Sequence, residues 1–264
     1  MNFIKTDNTV VINEFRKELY QKFTAAIDGM WEALYIASAQ TYTIENAKQN
    51  IGYCCIDDQK SLIQIFLCDE SKYLMDNVIG SLIESKLVSS AKLSSIEPVS
   101  FNACLSYSKS IQKNTLCFQY STSQLEKEPS ETLKLASKED IPLIKTFFKH
   151  QIDFDDNFGY TENLVNRKEL YMIKDFETIT ATGECRLSDS QLDIADIGVV
   201  VNSNHRKKGI GSKVLYQLVK KAQEAKRHPI CSTTNDNIAS KKAIEKAGFY
   251  CSHIIFDIRF IDDK

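Results

Sequence analysis

The chain lacks any apolar run of the ~18 residues needed to span a membrane, and Met1 to Asp7 lack a basic-then-apolar leader pattern. These absences point to a soluble protein of the cytoplasm with no membrane partner. An excess of charge of one sign is missing as well. The net charge of −2 supplies no bulk field for nucleic acid, so no nucleic-acid partner is expected. The cysteines (Cys54, Cys55, Cys68, Cys104, Cys117, Cys185, Cys231 and Cys251) include no Cys-x-x-Cys pair. Most sit in apolar, strand-like runs, where a free thiol behaves as a small hydrophobe. Neither a metal nor a disulfide framework is expected. What is present is globular: 43% hydrophobic and 26% charged over 264 residues, enough for about two domains of ordinary size.

A polar, turn-rich stretch from Ser121 to Ser130 divides the chain into expected domains over 1–125 and 131–264. In the second, 132–136 alternates as a short strand. Ser137 caps a helix reaching about Gln151, with Asp140 in its first turn and Pro142 near its start. A loop over 153–159 leads to a helix near 162–170 and strands over 171–174, 179–187 and 193–201. The last strand is nearly all apolar, as one covered on both faces is, and Gly198 predicts a bulge or a close backbone approach. The next helix places Val214, Leu215, Leu218, Val219, Ala222 and Ala225 on one face. Lys213, Lys220, Lys221, Lys226 and Arg227 lie mostly opposite, a solvated face with no aromatic platform for nucleic acid. A strand over 229–234, a helix over 238–247 capped by Asn237 and ended by Gly248, and a strand or bent pair over 249–260 close the domain.

The first half repeats the order. A helical region from Asn13 to about Ala37 precedes strands over 41–45, 51–56 and 62–67, a helix over 73–86, a strand over 92–96, a helix near 99–107 and a strand over 114–120. The expected class is α+β with a mixed sheet, built as two tandem copies.

Between the apolar strand ending at Val201 and the helix at Ser212 lies Asn202-Ser-Asn-His-Arg206-Lys-Lys-Gly209-Ile-Gly211. A helix start leaves about four amides without intrahelical partners and carries roughly half a positive charge, which makes it an anion site. Gly209 and Gly211 remove side chains that would keep a phosphate off the backbone, and Arg206, Lys207 and Lys208 add charge. The spacing fits neither the Gly-Lys-Ser/Thr phosphate loop nor the three-glycine dinucleotide turn. The plain alternative is a solvated basic turn. In the first half the matching turn, Cys68-Asp69-Glu70-Ser71, has two carboxylates and no glycine, so that half is not expected to bind the same ligand.

The second half resembles the GNAT superfamily of acyl-CoA-dependent N-acyltransferases. The resemblance rests on Arg206-x-x-Gly209-x-Gly211 after Val199-Val-Val201, and on the helix from Asn237 to Gly248-Phe249. The first half looks like a degenerate copy. The resemblance implies acetyl-CoA or another acyl-CoA, with the arm paired to the main chain of Val199 and Val201. It implies that amides of Lys207, Lys208, Gly209, Ile210, Gly211 and Ser212 hold the diphosphate, and that Asn237 touches the arm; a cap-only role for Asn237 stays open. It also implies direct attack by an amine on the thioester, with backbone N–H near Val199 as oxyanion donor. The position where the family often carries a proton-donating tyrosine is Ile244 here, and Tyr250 or Tyr216 are alternative donors.

Glu184 and Asp196, strand carboxylates expected to be covered, are the candidate general bases; a salt bridge with Arg186 or a lysine is the alternative for Glu184 and a backbone or loop contact for Asp196. His205 is read as a surface residue. Asp153, Asp155 and Asp156 lie where this family's acceptor pocket is walled, implying a small-molecule amine acceptor with positive charge; helix capping is the alternative. The expected function is N-acetyl transfer. The competing readings are a non-catalytic acyl-CoA-binding sensor or interaction module and a nucleotide-phosphate protein of another fold.

Overall fold

A computed structural model describes residues 1–121, 132–176 and 178–261; positions 122–130 of the expected divider lie outside them. The chain forms two compact units, Met1–Leu116 with His253–Lys264, and Cys117–Ser252. This differs from a single division between 125 and 131. The first boundary falls within a strand, and the chain's last strand returns to the first unit at His253.

The first unit begins with β1 (Asn2–Lys5), α1 (Thr9–Gln21), a π-helical turn (Trp31–Ile36), β2 (Gln40–Asn46), β3 (Gln49–Ile56) and β4 (Ser61–Leu67). A 3-10 turn (Asp69–Leu74) runs into α2 (Met75–Glu84), followed by β5 (Ser90–Ser94), α3 (Pro98–Ser106) and the start of β6 (Ser108–Tyr120). The second unit continues with β7 (Lys134–Leu135), α4 (Ile141–Ile152), α5 (Tyr160–Asn166), β8 (Leu170–Asp175), β9 (Thr178–Leu187) and β10 (Ile194–Val201). It ends with α6 (Ile210–Glu224), β11 (His228–Thr234), α7 (Ile238–Lys246) and β12 (Phe249–Phe260).

In the first unit the strand order is β1-β2-β3-β4-β5, with Ile255–Arg259 of β12 antiparallel to β5. Its core gathers Ile65, Leu67, Val78, Ile79, Leu82 and Leu93, closed by Ile258 and Phe260 from the chain's end. In the second unit the order is β11-β10-β9-β8-β7, antiparallel except for the parallel pair β10–β11. Ile144, Phe147 and Phe148 of α4 pack with Leu164 and Val165 of α5 and with Leu170 and Ile179 of the sheet. On α6, Val214, Leu215, Leu218, Val219 and Ala222 are buried, while Ala225 falls beyond the helix end and is exposed.

Local chemistry sets the boundaries. Ser137 and Asp140 form a capping box ahead of α4, and Pro142 occupies its first turn, where no amide is missed. Gly248 ends α7 at φ 98°, a left-handed conformation that favours glycine.

Three expectations are corrected. The helical region 13–37 is two pieces, because the buried Asp28 side chain accepts from Trp31 N at 2.7 Å and starts a separate helical stretch. β1 was not expected: it is four residues long and mostly exposed, and its two apolar residues, Phe3 and Ile4, are adjacent rather than alternating. The helix expected over 162–170 ends at Asn166, and Leu170 already belongs to β8.

Candidate functional site

β10 pairs with β9 without a break from Ala195↔Leu187 to Val201↔Ala181, so the bulge expected at Gly198 is absent. The irregularity lies on the other edge. Pairing with β11 spans only Ile194↔His228 to Asp196↔Ile230, and β10 continues five residues beyond it. Alternate residues of an antiparallel strand turn their main-chain groups toward the same neighbour. Asn202 N donates to Thr180 O at 3.0 Å and Ser188 N to Ile194 O at 3.1 Å, which directs the even-numbered residues toward β9. The main chain of Ile197, Val199 and Val201 therefore faces the side that β11 has left. Val199 and Val201 are half-buried.

Next to this open edge stands the start of α6. Its N-cap, Gly209, has φ 77°, and a Cβ built there meets no atom within 4 Å. A Cβ on Gly211 would meet only the side chains of Ala243 and Val201, at 3.6 and 3.7 Å. Lys213 N is the first amide to reach back, to Gly209 O at 3.3 Å, so the amides of Gly209, Ile210, Gly211 and Ser212 precede the helical bonding pattern. The Ser212 hydroxyl donates to Gly209 O at 3.0 Å and is buried within the turn. Lys207 and Lys208 are exposed. Arg206 does something else: its Nε donates to Val201 O at 3.2 Å and its Nη2 to Gln151 O at 3.2 Å. With Ser203 N donating to Gln151 Oε1 at 2.7 Å, Arg206 fastens the loop to the end of α4. His205 is half-buried. Asn237 Oδ1 accepts from Ser240 N at 3.1 Å and caps α7.

Glu184 and Asp196 are both buried, as expected, and both meet Arg186. Arg186 Nη1 bonds Glu184 Oε2, and Nη2 lies 3.0 Å from Asp196 Oδ2. Tyr160 joins them, donating to Glu184 Oε2 at 2.7 Å and accepting from Arg186 Nη1 at 2.8 Å. Burial opposes the charge on Arg186, but Asp196 and Glu184 outweigh it and hold its pKa well above the ordinary value. Burial, with the neighbouring Glu184 charge, raises the pKa of Tyr160. The cluster lies under Gly198: Glu184 Oε2 is 3.6 Å from where that residue's Cβ would stand. Sequence reasoning missed Tyr160, which lies 24 positions from its partner with no spacing rule to link them. Arg186 was legible only as a strand neighbour two residues from Glu184, on the same face.

The three loop aspartates separate. Asp153 and Asp155 are exposed and pair with Lys149 at 3.0 and 3.6 Å. Asp156 is buried: Oδ1 accepts from the amides of Gly159 and Tyr160 at 3.1 and 2.9 Å, and Oδ2 accepts from Thr161 N at 2.6 Å, capping α5. Beside it, Phe154 packs edge-on against Tyr160 and Phe158, with ring centroids 5.5 and 5.9 Å apart. Ile244 is buried on α7. Tyr216 lies under Lys220 Nζ, and exposed Tyr250 donates to Gln119 Oε1 at 3.3 Å.

The first unit repeats the strand geometry but not the opening. β4 pairs with β5 only at Ser61↔Ser90 and Leu62↔Ala91, yet every residue of β4 is buried. After it, Asp69 bonds Lys22 and Lys72, which pull its pKa down to about 2.

Comparisons match this architecture twice. The Acetyltransferase (GNAT) domain matches residues 8–121, and the Acetyltransferase (GNAT) family matches residues 135–249. Among solved structures, a GNAT-family acetyltransferase from Colwellia psychrerythraea is 29% identical, with TM-score 0.93, over 99% of this chain and 100% of that one. A GCN5-related N-acetyltransferase from Sphaerobacter thermophilus shares the fold at 10% identity and TM-score 0.67, over 99% of this chain and 96% of that one. A tandem GNAT protein from the clavulanic acid biosynthesis pathway shares it at 12% identity and TM-score 0.64, over 100% and 99%. No curated protein matches the chain. The reading as a nucleotide-phosphate protein of another fold falls with these matches. The chain belongs to the GNAT acetyltransferase family, whose domain it carries in two tandem copies.

Proposed function

We propose that the second unit transfers an acetyl group from acetyl-CoA to a small-molecule amine by direct attack. The observation that carries this reading is the β10 edge left open beyond Asp196 beside the bare first turn of α6. The main chain of Val199 and Val201 would take the pantetheine arm as an added strand. The amides from Lys207 to Ser212, with the charges of Lys207 and Lys208, would hold the diphosphate. Arg206 shapes that loop from behind, and Asn237, which caps α7, would also touch the arm. The open space over Gly209 is the cradle a phosphate needs.

When bound, acetyl-CoA supplies the thioester carbonyl as electrophile. The amides of Ile197 and Val199 face the opened side and would polarise its oxygen. Of the two candidate bases, Glu184 lies against Gly198 of β10, with only the bare glycine over its carboxylate, and it would take the proton from the ammonium. Asp196 holds Arg186 in place. The C–N bond would form first and the C–S bond then break; the sulfur, of ordinary thiol pKa about 8.5, would leave as a thiolate without the tyrosine that Ile244 replaces and would take up the proton the new amide nitrogen sheds. Asp153 and Asp155 would draw a cationic amine toward the pocket, and Phe158 and Tyr160 would wall it; Asp156 acts by holding α5. The first unit, with β4 covered and carboxylates at its turn, takes no CoA in this reading.

A second reading is an acyl-CoA sensor without turnover, favoured by Ile244 and by the pairing of both carboxylates with Arg186. Release of free thiol from acetyl-CoA across a mixed panel of amines separates the two. Turnover with at least one amine supports transfer; tight binding with no release across the panel selects the sensor. Failure to bind acetyl-CoA contradicts both.

A further inference from the structure

The first unit contains a polar cavity of about 440 Å3, bounded by the start of α1, the entry to β2 and the β3–β4 turn. Arg16 of α1 lines it. Its Nε is buried and has no hydrogen-bond partner among the described residues. Its Nη2 lies 3.9 Å from the sulfur of Cys55, and its guanidinium carbon lies 5.9 Å from the centre of the Tyr53 ring, whose hydroxyl also bonds it. Burial opposes its charge, and Tyr53, Cys55 and Tyr20, none of them a carboxylate, are the groups that most offset it and hold its pKa above the ordinary value. A guanidinium withdrawn from water without a counter-ion is costly, and its planar fork matches a carboxylate.

The acidic groups of the cavity do not fill that need. Asp57 accepts from Gln59 N at 2.9 Å, Ser61 N at 2.7 Å and Lys92 Nζ at 3.2 Å. Asp7 and Asp58 are exposed at the cavity's outer wall. The lining thus has a counter-ion-free cation within and carboxylates outside. A polyanion would be repelled on entry, and a bare cation would meet Arg16. A molecule with both charges fits each end.

We infer that this cavity binds a small zwitterion of the amino-acid type, its carboxylate on Arg16 and its ammonium group toward Asp7 and Asp58. The site is independent of acetyl transfer and lies wholly in the first unit. Thermal denaturation and calorimetry of the full chain test it, with the individual free amino acids, sodium acetate and inorganic phosphate as probes. At least one amino acid raises the melting temperature and binds saturably; acetate, lacking the ammonium, and phosphate bind at least roughly tenfold more weakly. Arg16→Met abolishes the shift. Since that change could disturb α1, the double variant Asp7→Asn/Asp58→Asn, made on exposed residues, is the second probe and weakens binding roughly tenfold. No response to any amino acid, equal binding of acetate, or unchanged binding in the double variant overturns the proposal.

Discussion

Arg186 is the residue on which the acceptor side of the second unit turns. Two buried carboxylates and a phenol share one guanidinium. Removing it leaves two charges uncompensated in a poorly solvated place. Arg186→Met is expected to lower unfolding stability by about 3–5 kcal/mol, read by urea denaturation. Tyr160→Phe keeps the ring packing and removes one hydroxyl between two charged groups, at a cost of about 1–3 kcal/mol. The same cluster separates structure from chemistry: Glu184→Gln keeps most of the shape, so a fall in turnover of about 10²–10⁴ with folding intact would mark Glu184 as the base. Unchanged turnover would assign it to packing alone.

Glu97, at the N-cap of α3, gives a pH signature in the first unit. Its carboxyl is buried, one oxygen has no partner among the described residues, and burial pushes its pKa up to about 8. A group whose folded pKa is raised gives stability that is full below its unfolded value, about 4.3, and lost as pH climbs through the folded one. Buried His253, held down to about 4, acts in the opposite sense, but only below its unfolded value of about 6.5. Between pH 7 and 8, above the unfolded histidine value and below the ordinary thiol value of about 8.5 at which the buried cysteines begin to act, the Glu97 effect stands apart. The melting temperature of the wild type should fall across that range, and Glu97→Gln should flatten the fall.

At the scale of elements, α6 depends on a glycine outside it. A Cβ on Gly183 of β9 would come within 3.0 Å of Val214 and 3.1 Å of Leu218, so the helix sits close because that position is bare. Gly183→Ala should cost about 1–3 kcal/mol in overpacking, measured by chemical denaturation. The short helix α5 depends on Asp156 in the same way. Asp156→Ala removes acceptors from three amides and should cost about 1–2 kcal/mol, whereas Asp153→Asn with Asp155→Asn should leave stability unchanged and raise the Michaelis constant for cationic amines.

These elements also show what could be read in advance. The β10–loop–α6 segment was legible because continuous apolar residues, two glycines and an amphipathic period of 3.6 all act locally. The capping residues Ser137 and Asn237 were legible for the same reason. The opening beside β10 was not, since Gly198 is equally compatible with a bulge, and only the register with β11 decides between them. Arg206 looked like a phosphate ligand because its charge is visible in the sequence, while the carbonyls of Val201 and Gln151 that occupy it are not. β1 escaped because a four-residue exposed edge has no periodicity to detect.

At the scale of the molecule, the two copies have kept the same strand order and diverged in one turn. In the second unit the turn is glycine and lysine over an open strand edge; in the first it is Asp69 and Glu70 over a covered one. All eight cysteines stand as free thiols, and no helix among the described residues is long and apolar enough to cross a membrane. The one-site account is tested most directly by calorimetric titration of the full chain with acetyl-CoA, beside the variant Gly209→Val/Gly211→Val and the variant Asp69→Asn/Glu70→Gln. The account predicts one equivalent bound to the wild type, loss of at least roughly a hundredfold in affinity in the glycine variant with its circular dichroism retained, and no change in the first-unit variant. Binding that survives valine at both glycines, or none in the wild type, contradicts it.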